Sequence, residues 1–191
     1  MNLHAPDQAV TDANVALTYL KEGNARFVAD KGIARDTNKA DLAVTAGGQK
    51  PFAAILTCAD SRVSPELYFD QKIGDIFVVR NAGNVASPDA QGSIEFATKH
   101  LGAPLVVVVG HSSCGAVFTS YDKVTGLSDN LQGVLDGIRP AIESSDSKET
   151  AVAANVRAQV EVMKNNPVIK EINATVVGAE YNIATGEVTF L

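Results

Sequence analysis

The sequence predicts an α/β fold with a mostly parallel central sheet, in which four parallel strands and an antiparallel edge strand are flanked by helices. Three observations support this prediction. Short apolar runs, typical of strands buried on both faces, alternate with segments of helical spacing. The chain then ends in two strand-like runs around Asn182–Gly186, the pattern of an antiparallel hairpin. Its 191 residues, 46% of them hydrophobic, suffice to bury one substantial core.

The predicted elements follow one another along the chain. An N-terminal helix over 11–27, with Thr11 as its N-cap, precedes a polar segment over residues 30–50. Strands are predicted at 52–57, 76–80, 105–109, 175–181 and 188–191, and further helices at 65–69, 87–100, 114–121, 127–142 and 148–164. Residues 1–50 are expected to form a helical arm that wraps a second subunit, and residues 51–191 the α/β domain that carries the site.

Composition and charge argue against several classes of function. The net charge of −6 lacks the basic footprint of a nucleic-acid-binding protein. No apolar run is long enough to span a membrane, and Met1–Asp7 lacks the basic and apolar regions of a signal peptide. The two cysteines are predicted to be reduced thiols in a cytoplasmic protein, because a domain of this size needs no disulfide.

Residues able to do chemistry follow three of the predicted strands. Cys58 and Asp60 come after the first strand, Arg80 ends the second, and His111 and Cys114 come after the third. Ligands of open α/β sheets bind outside the carboxyl ends of the strands, so these side chains are expected to converge. Cys58, His111 and Cys114 make a Cys₂His set, which leaves one tetrahedral position of a zinc ion free for water or substrate. One Zn²⁺ per chain is therefore predicted.

Asp60 and Arg62 are predicted to complete this site. Two thiolates cancel the charge of zinc, so a hydrogen-bond acceptor beside the metal-bound water gains importance. Asp60 stands two residues after Cys58, and Arg62 stands two residues further on, where it can hold the carboxylate through a bidentate pair. That pair would keep Asp60 ionised and directed at the water. The residues alone therefore indicate a zinc hydratase.

Other interpretations of the same residues stay open at this point. Buried cysteines are most often inert small hydrophobes, and an isolated Asp60–Arg62 pair is more often a surface or capping ion pair. Gly110–Gly115 follows a strand as phosphate-binding turns do, but it has neither the Lys-Ser/Thr of a P-loop nor the dinucleotide glycine pattern. A nucleotide-binding module is the alternative without zinc. His4 and His100 are interpreted as exposed residues.

Three segments closely resemble the β-class carbonic anhydrases, namely Cys58–Val63, Gly74–Asn84 and Gly110–Gly115. Gly23–Phe27 and Ser93–Ala97 extend the similarity. The resemblance implies reversible hydration of carbon dioxide to bicarbonate and a proton, with zinc-bound hydroxide as the nucleophile. It also implies a homo-oligomer, a dimer or a tetramer, in which N-terminal helices embrace the neighbouring subunit.

The resemblance assigns roles to single residues. Cys58, His111 and Cys114 match the zinc ligands of the family, and Asp60 and Arg62 match its catalytic dyad. The positions that match the substrate site, including a glutamine supplied across a dimer interface, are Gln49, Phe77, Ala82, Phe96 and Gly115.

One position departs from the family pattern. Some members close the site at low pH, when the aspartate leaves its arginine and binds zinc, and the linked bicarbonate pocket uses a tryptophan where this chain has Ile55. Arg80 matches the arginine of that pocket. An open site near neutral pH, with Asp60 paired to Arg62, is therefore expected. A carbonyl sulfide or carbon disulfide hydrolase of the same fold and an inactive zinc-binding scaffold are the alternatives.

Overall fold

The computed structural model describes residues 9–33 and 38–191, and five strands form one sheet. The strands are β1 Ala53–Cys58, β2 Ile76–Asn81, β3 Leu105–His111, β4 Thr175–Tyr181 and β5 Val188–Phe190. Their order is β2-β1-β3-β4-β5, with β1 to β4 parallel and β5 antiparallel to β4. The predicted fold class is confirmed, as is the terminal hairpin.

The helices lie before, between and after the parallel strands. They are α1 Ala13–Val28, α2 Lys39–Thr45, α3 Pro65–Tyr68, α4 Pro88–Glu95, α5 Gly115–Tyr121, α6 Asp129–Asp136, α7 Arg139–Ile142, α8 Lys148–Asn165 and α9 Pro167–Glu171. A 3₁₀ turn, Ala82–Asn84, follows β2, and a π-helical turn, Phe96–His100, continues α4. Among the described residues, no helix combines the length and apolar character that crossing a membrane requires.

Several predicted boundaries were wrong, each for a local reason. The N-cap of α1 is Asp12 instead of Thr11, because the Asp12 carboxylate accepts hydrogen bonds from the N–H groups of residues 14 and 15. The single helix predicted over 127–142 is two, α6 and α7, interrupted at Gly137, where a Cβ atom would lie 2.7 Å from Val85 Cγ1. The segment over residues 30–50 contains α2, which Asn38 starts with a capping box. Helix α9 was not predicted.

Each face of the sheet is covered by helices. Ile55 of β1 and Val107 of β3 point to the face where Leu20 of α1 packs, and all three are fully buried. Their neighbours along the strands point to the opposite face and belong to a second buried cluster, which contains Leu56 of β1 together with residues of α4 and α8 such as Val156. Burial of a side chain the size of leucine contributes about 2 kcal/mol, so the two faces hold the strand ends in fixed positions.

Helix α1 is fastened to the sheet of its own chain. The Asn24 amide donates 2.8 Å hydrogen bonds to the carbonyls of Tyr68 and Gly186, and it accepts one from the Val188 N–H. Arg26 forms a 2.6 Å ion pair with the buried Asp70. This part of the N-terminal region therefore belongs to the same core as the sheet. The domain boundary at residue 50 and the wrapping of a second subunit stay predictions.

Candidate metal centre

The strand order places a crevice between the ends of β1 and β3. The chain leaves β1 towards β2 on one side of it and later reaches β3 on the other side. In doubly wound sheets, ligands bind at this point of reversal, outside the carboxyl ends of the strands. Cys58 is the last residue of β1 and His111 the last residue of β3. Parallel pairing of Thr57 with Val109 brings these two ends level.

Cys58, His111 and Cys114 meet at this crevice. Their ligand atoms all lie within 4.8 Å of one another, and the two sulfurs are 4.0 Å apart. Two sulfurs bound tetrahedrally to one zinc ion at about 2.3 Å would be about 3.8 Å apart. The three residues are 5%, 0% and 1% exposed, so an ion held here would be screened from bulk solvent by protein. The predicted convergence of the three side chains is confirmed.

The histidine ring is oriented for metal binding. Its Nδ1 lies 3.0 Å from the carbonyl oxygen of Ser112, which assigns the proton to Nδ1 and leaves a lone pair on Nε2. Nε2 is buried and has no hydrogen-bond partner among the described residues. A buried nitrogen without a partner is costly, and a metal ion beside the two sulfurs would remove that cost. The donor set and the orphaned nitrogen therefore fit zinc.

The two cysteines shift the pKa values of each other's thiols. The hydrogen bond from Cys114 lowers the pKa of Cys58, and the same contact raises the pKa of Cys114. Repulsion also contributes to the higher pKa, because a second negative sulfur 4.0 Å from the first would be repelled by it. A divalent cation between the sulfurs would cancel this repulsion. The cluster therefore favours a dication over two free thiols.

The turn that carries His111 and Cys114 is tied to the neighbouring strand. Ser112 donates its N–H to the carbonyl of Tyr181 at 3.0 Å, and its hydroxyl accepts from the Ile183 N–H at 3.1 Å. Ser113 has a φ of +57°, in the left-handed region, and this turns the chain sharply. Cys114 then follows as the N-cap of α5. One short turn thus supplies two of the three ligand atoms.

Asp60 forms the predicted bidentate pair with Arg62. Arg62 Nε lies 2.9 Å from Asp60 Oδ1 and Nη2 lies 2.6 Å from Oδ2, and the Arg62 N–H also donates to Oδ1. These contacts hold the pKa of Asp60 well below its usual range. Asp60 Oδ2 lies 3.9 Å from His111 Nε2, on the side where a metal would bind. The roles of both residues in catalysis stay predictions.

Arg80 has a structural contact that the sequence analysis did not assign. Its Nε donates to the carbonyl of Cys58 at 3.1 Å, and its Nη2 donates to the carbonyl of Asp60 at 2.8 Å. Both bonds hold the segment that carries the first ligand and the carboxylate. The position of Arg80 at the end of the neighbouring strand could have predicted these contacts. Parallel pairing sets Arg80 opposite Thr57, directly before Cys58.

Gly83 is a second residue that sequence reasoning missed. Its N–H lies 3.4 Å from Cys58 Sγ, so the backbone donates a hydrogen bond to a predicted metal ligand. Its φ of +73° is one that glycine adopts without strain. The glycine in Asn81–Asn84, directly after a strand, was the available sequence signal for such a turn.

The residues predicted to bind substrate are only partly brought together. Phe77 in β2 and Phe96 after α4 are neighbours, with ring centroids 6.4 Å apart, and Phe96 is 49% exposed. Ala82 is half-buried in the turn before Gly83, and Gly115 is exposed at the start of α5. Gln49 is exposed between α2 and β1. Binding of substrate by these five residues stays a prediction.

Fold and cluster together define an α/β protein whose candidate metal site lies at the reversal of strand order. The family profile described as carbonic anhydrase matches residues 53–188. The chain belongs to the β-carbonic anhydrase family.

Relatives and solved structures agree with this assignment. A carbonic anhydrase of Mycolicibacterium smegmatis is 35% identical over 183 residues, covering 88% of each chain. Carbonic anhydrase 2 of Mycobacterium tuberculosis is 51% identical over 107 residues, and this match spans 56% of the present chain but only 52% of that protein. A structure of tetrameric β-carbonic anhydrases from Sordaria macrospora superposes with a TM-score of 0.72 at 27% identity, covering 93% of this chain and 97% of the other.

Proposed function

We propose that this protein is a zinc-dependent carbonic anhydrase that converts carbon dioxide and water to bicarbonate and a proton, reversibly. The observation that carries the proposal is the Cys₂His cluster with its unpartnered His111 Nε2, set beside the Asp60–Arg62 pair. Three protein ligands and an open fourth position are typical of catalytic zinc sites, whereas structural sites are closed by four. Membership of the carbonic anhydrase family supports the same reaction.

Cys58, His111 and Cys114 would hold one zinc ion per chain. Zinc supplies a nucleophile at neutral pH by lowering the pKa of a water molecule that it binds. Asp60 would accept a hydrogen bond from the attacking water and thereby fix its orientation, and the depressed pKa of the carboxylate keeps it an acceptor. Arg62 would bind both oxygens of the carboxylate from one side. The lone pairs on the other side would stay available to accept the hydrogen bond from the water. Proton release to buffer would complete the cycle.

The substrate would approach along an apolar wall. Carbon dioxide is linear and apolar, so the neighbouring rings of Phe77 and Phe96 suit it. Ala82 directly precedes Gly83, whose N–H contacts Cys58 Sγ, and Gly115 directly follows Cys114. We propose that Gln49 reaches this site from a second subunit. No nucleic acid or membrane partner is proposed, and two adjacent free thiols suit a reducing, cytoplasmic setting.

We propose a homo-oligomer, a dimer or a tetramer. Strand β2 is at the edge of the sheet, and four of its six residues are apolar and only half-buried in the single chain. Phe96 beside it is 49% exposed, as are Leu42 and Ile73 to a similar degree. The related Sordaria macrospora enzymes are described as tetrameric. Sedimentation analysis would decide between the two states, and a monomer at micromolar concentration would contradict both.

We also propose that the site is open near neutral pH, with Asp60 on Arg62 instead of on zinc. The bidentate contact in the structure supports this arrangement. X-ray absorption at the zinc edge at pH 7.5 should report two sulfurs, one imidazole nitrogen and an exchangeable oxygen. Displacement of that oxygen by added thiocyanate would support the open site, and a structure near that pH with Asp60 bound to zinc would refute it.

Stopped-flow hydration of carbon dioxide by zinc-loaded protein tests the proposed reaction. Cys58→Ser should lower both zinc content and rate, whereas Asp60→Asn should lower the rate with zinc retained. Asp146→Asn, which changes an acidic residue outside the site, is the matched control and should leave both unchanged. If the protein binds one zinc ion per chain but does not hydrate carbon dioxide, the proposal is wrong. Turnover of carbonyl sulfide or carbon disulfide would then identify a hydrolase, and no turnover a zinc-binding scaffold.

A further inference from the structure

Helix α8 carries two buried amide side chains behind the metal centre. Asn155 is fully buried and Gln159 is 4% exposed. The Asn155 amide donates a 2.9 Å hydrogen bond to the carbonyl of Gly83, and the Gln159 side chain accepts a 2.9 Å hydrogen bond from the Ala86 N–H. Together the two side chains hold both ends of the loop that follows β2.

The direction of every hydrogen bond in this network is fixed. Gln159 accepts from a backbone N–H, so its oxygen is identified, and its Nε2 then donates to Asn155 Oδ1 at 3.1 Å and to the carbonyl of Gly137 at 3.1 Å. Because Asn155 Oδ1 is used in this way, its Nδ2 must face Gly83. If the Asn155 amide were flipped, its oxygen would face the carbonyl oxygen of Gly83, and its NH₂ group would face the NH₂ group of Gln159. Neither pair could form a hydrogen bond.

The last member of the network is a metal ligand. Gly83 is held by its carbonyl on one side, and on the other side its N–H lies 3.4 Å from Cys58 Sγ. The peptide groups flanking Gly83 are free to rotate in solution, since glycine tolerates a wide range of φ. Asn155 removes that freedom. The amide thereby acts on the sulfur through two hydrogen bonds and one residue of backbone.

We propose that Asn155 is a positioning residue of the metal centre, which aims the Gly83 N–H at the Cys58 sulfur and so fixes that sulfur as a ligand. This inference rests on the proposed function only in taking the Cys₂His cluster as the zinc site. A hydrogen bond to a metal-bound sulfur withdraws electron density from it and restricts its direction. Groups that orient a metal ligand in this way are typically worth 10- to 100-fold in metal affinity.

Metal affinity and the spectrum of the cobalt-substituted protein test the proposal without reference to carbon dioxide. The variants are Asn155→Leu, of similar volume without hydrogen bonds, and Asn155→Ser, a milder change that cannot reach the Gly83 carbonyl. Asn24→Leu is the matched control, because Asn24 is also a buried amide bound to three backbone groups, none of them in the metal site. Zinc affinity is measured by competition with a chelator, and Co²⁺ is then bound in place of Zn²⁺.

We expect both Asn155 variants to bind zinc about 10-fold or more weakly than the wild type. Their sulfur-to-cobalt charge-transfer band should move to longer wavelength, because a sulfur that has lost a hydrogen bond releases electrons more easily. Asn24→Leu should lose thermal stability without either change. Gln159→Leu should show a smaller loss of affinity, since it reaches Gly83 only through Asn155.

Wild-type affinity and spectrum in a folded Asn155→Ser protein would overturn the proposal, as would an equal loss of affinity in Asn24→Leu. If the wild type binds metal but does not hydrate carbon dioxide, while the Asn155 variants bind metal more weakly, the inference stands and the proposed function fails. A wild type that binds neither metal would overturn both.

Discussion

A methyl group added at Gly83 probes how closely the loop beside Cys58 is packed. Gly83 has a φ of +73°, and a Cβ atom there would lie 2.5 Å from Ile138 Cδ1 and 3.3 Å from Ala116 Cβ. An alanine held in the left-handed region costs about 1–2 kcal/mol. Forcing a methyl into a packed core costs about 1–3 kcal/mol more. Gly83→Ala should therefore lower the free energy of unfolding by about 2–5 kcal/mol.

Ile138→Val separates the two contributions, because it removes the atom that the new methyl would strike. Alone it should cost about 0.5–1.5 kcal/mol. Combined with Gly83→Ala it should restore most of the steric part, so that the double variant is about 1–3 kcal/mol more stable than the sum of the single changes predicts. Gly92→Ala is the control of opposite sign, since a Cβ there meets nothing within 4 Å and alanine favours a helix.

Urea unfolding of the wild type and the four variants at one fixed protein concentration provides the test, because an oligomer's stability depends on concentration. Costs that add within about 0.5 kcal/mol would refute the packing of Gly83 against Ile138. So would a Gly83→Ala variant as stable as the wild type, since the left-handed backbone alone predicts a loss.

Three further predictions concern charge and metal. Arg62→Lys should lower the hydration rate about 10-fold or more with zinc content unchanged, because lysine cannot hold both Asp60 oxygens; an unchanged rate would remove Arg62 from the site. Burial raises the pKa of Asp75 from 3.8 to about 6. The folded state therefore binds that proton more tightly, and stability should fall by about 3 kcal/mol in total as pH rises from below about 3 to above about 7, with about 2 kcal/mol of the loss between pH 4 and pH 6. Asp75→Asn should remove this part of the pH dependence in urea unfolding, and an identical slope in both proteins would contradict it. Chelation of zinc should lower stability by about 2.7 kcal/mol relative to protein with zinc at a hundredfold excess over Kd, whereas a His111→Ala variant should show a much smaller difference in thermal unfolding.

The three candidate metal ligands could be placed together from the sequence because each lies at or just after the end of a recognisable strand. Buried parallel strands read as continuous apolar runs, and their carboxyl ends share one edge of the sheet. Because parallel strands end at the same edge, the residues that follow them must lie close together. The predicted proximity of Cys58 to the turn of His111 and Cys114 was therefore correct. The bidentate contact of Asp60 and Arg62 was predictable for a different reason, since the two residues are neighbours in the chain.

Features that depend on three-dimensional contact were beyond the sequence. Asn155 bonds to Gly83 across 72 positions of sequence, and nothing in the local pattern of α8 separates it from a solvent-facing amide. The interruption at Gly137 arises from the close approach of Val85, which belongs to another loop. By contrast, Asn38 and its capping box were readable as the start of α2 and were overlooked, because the segment around them is polar.

The separation of the ligands along the chain has a consequence for the order of events during synthesis. Cys58 and Cys114 are 56 positions apart, so at about 5–20 residues per second the first thiol waits about 3–11 s for the second. The third ligand, His111, also arrives late, and β1 cannot pair with β3 before then. A nascent chain that ends before residue 114 therefore lacks the complete set of candidate ligands. Because all three are buried once the sheet forms, a metal ion bound by them would have to enter while the loops after β1 and β3 are still closing, or else wait for those loops to reopen.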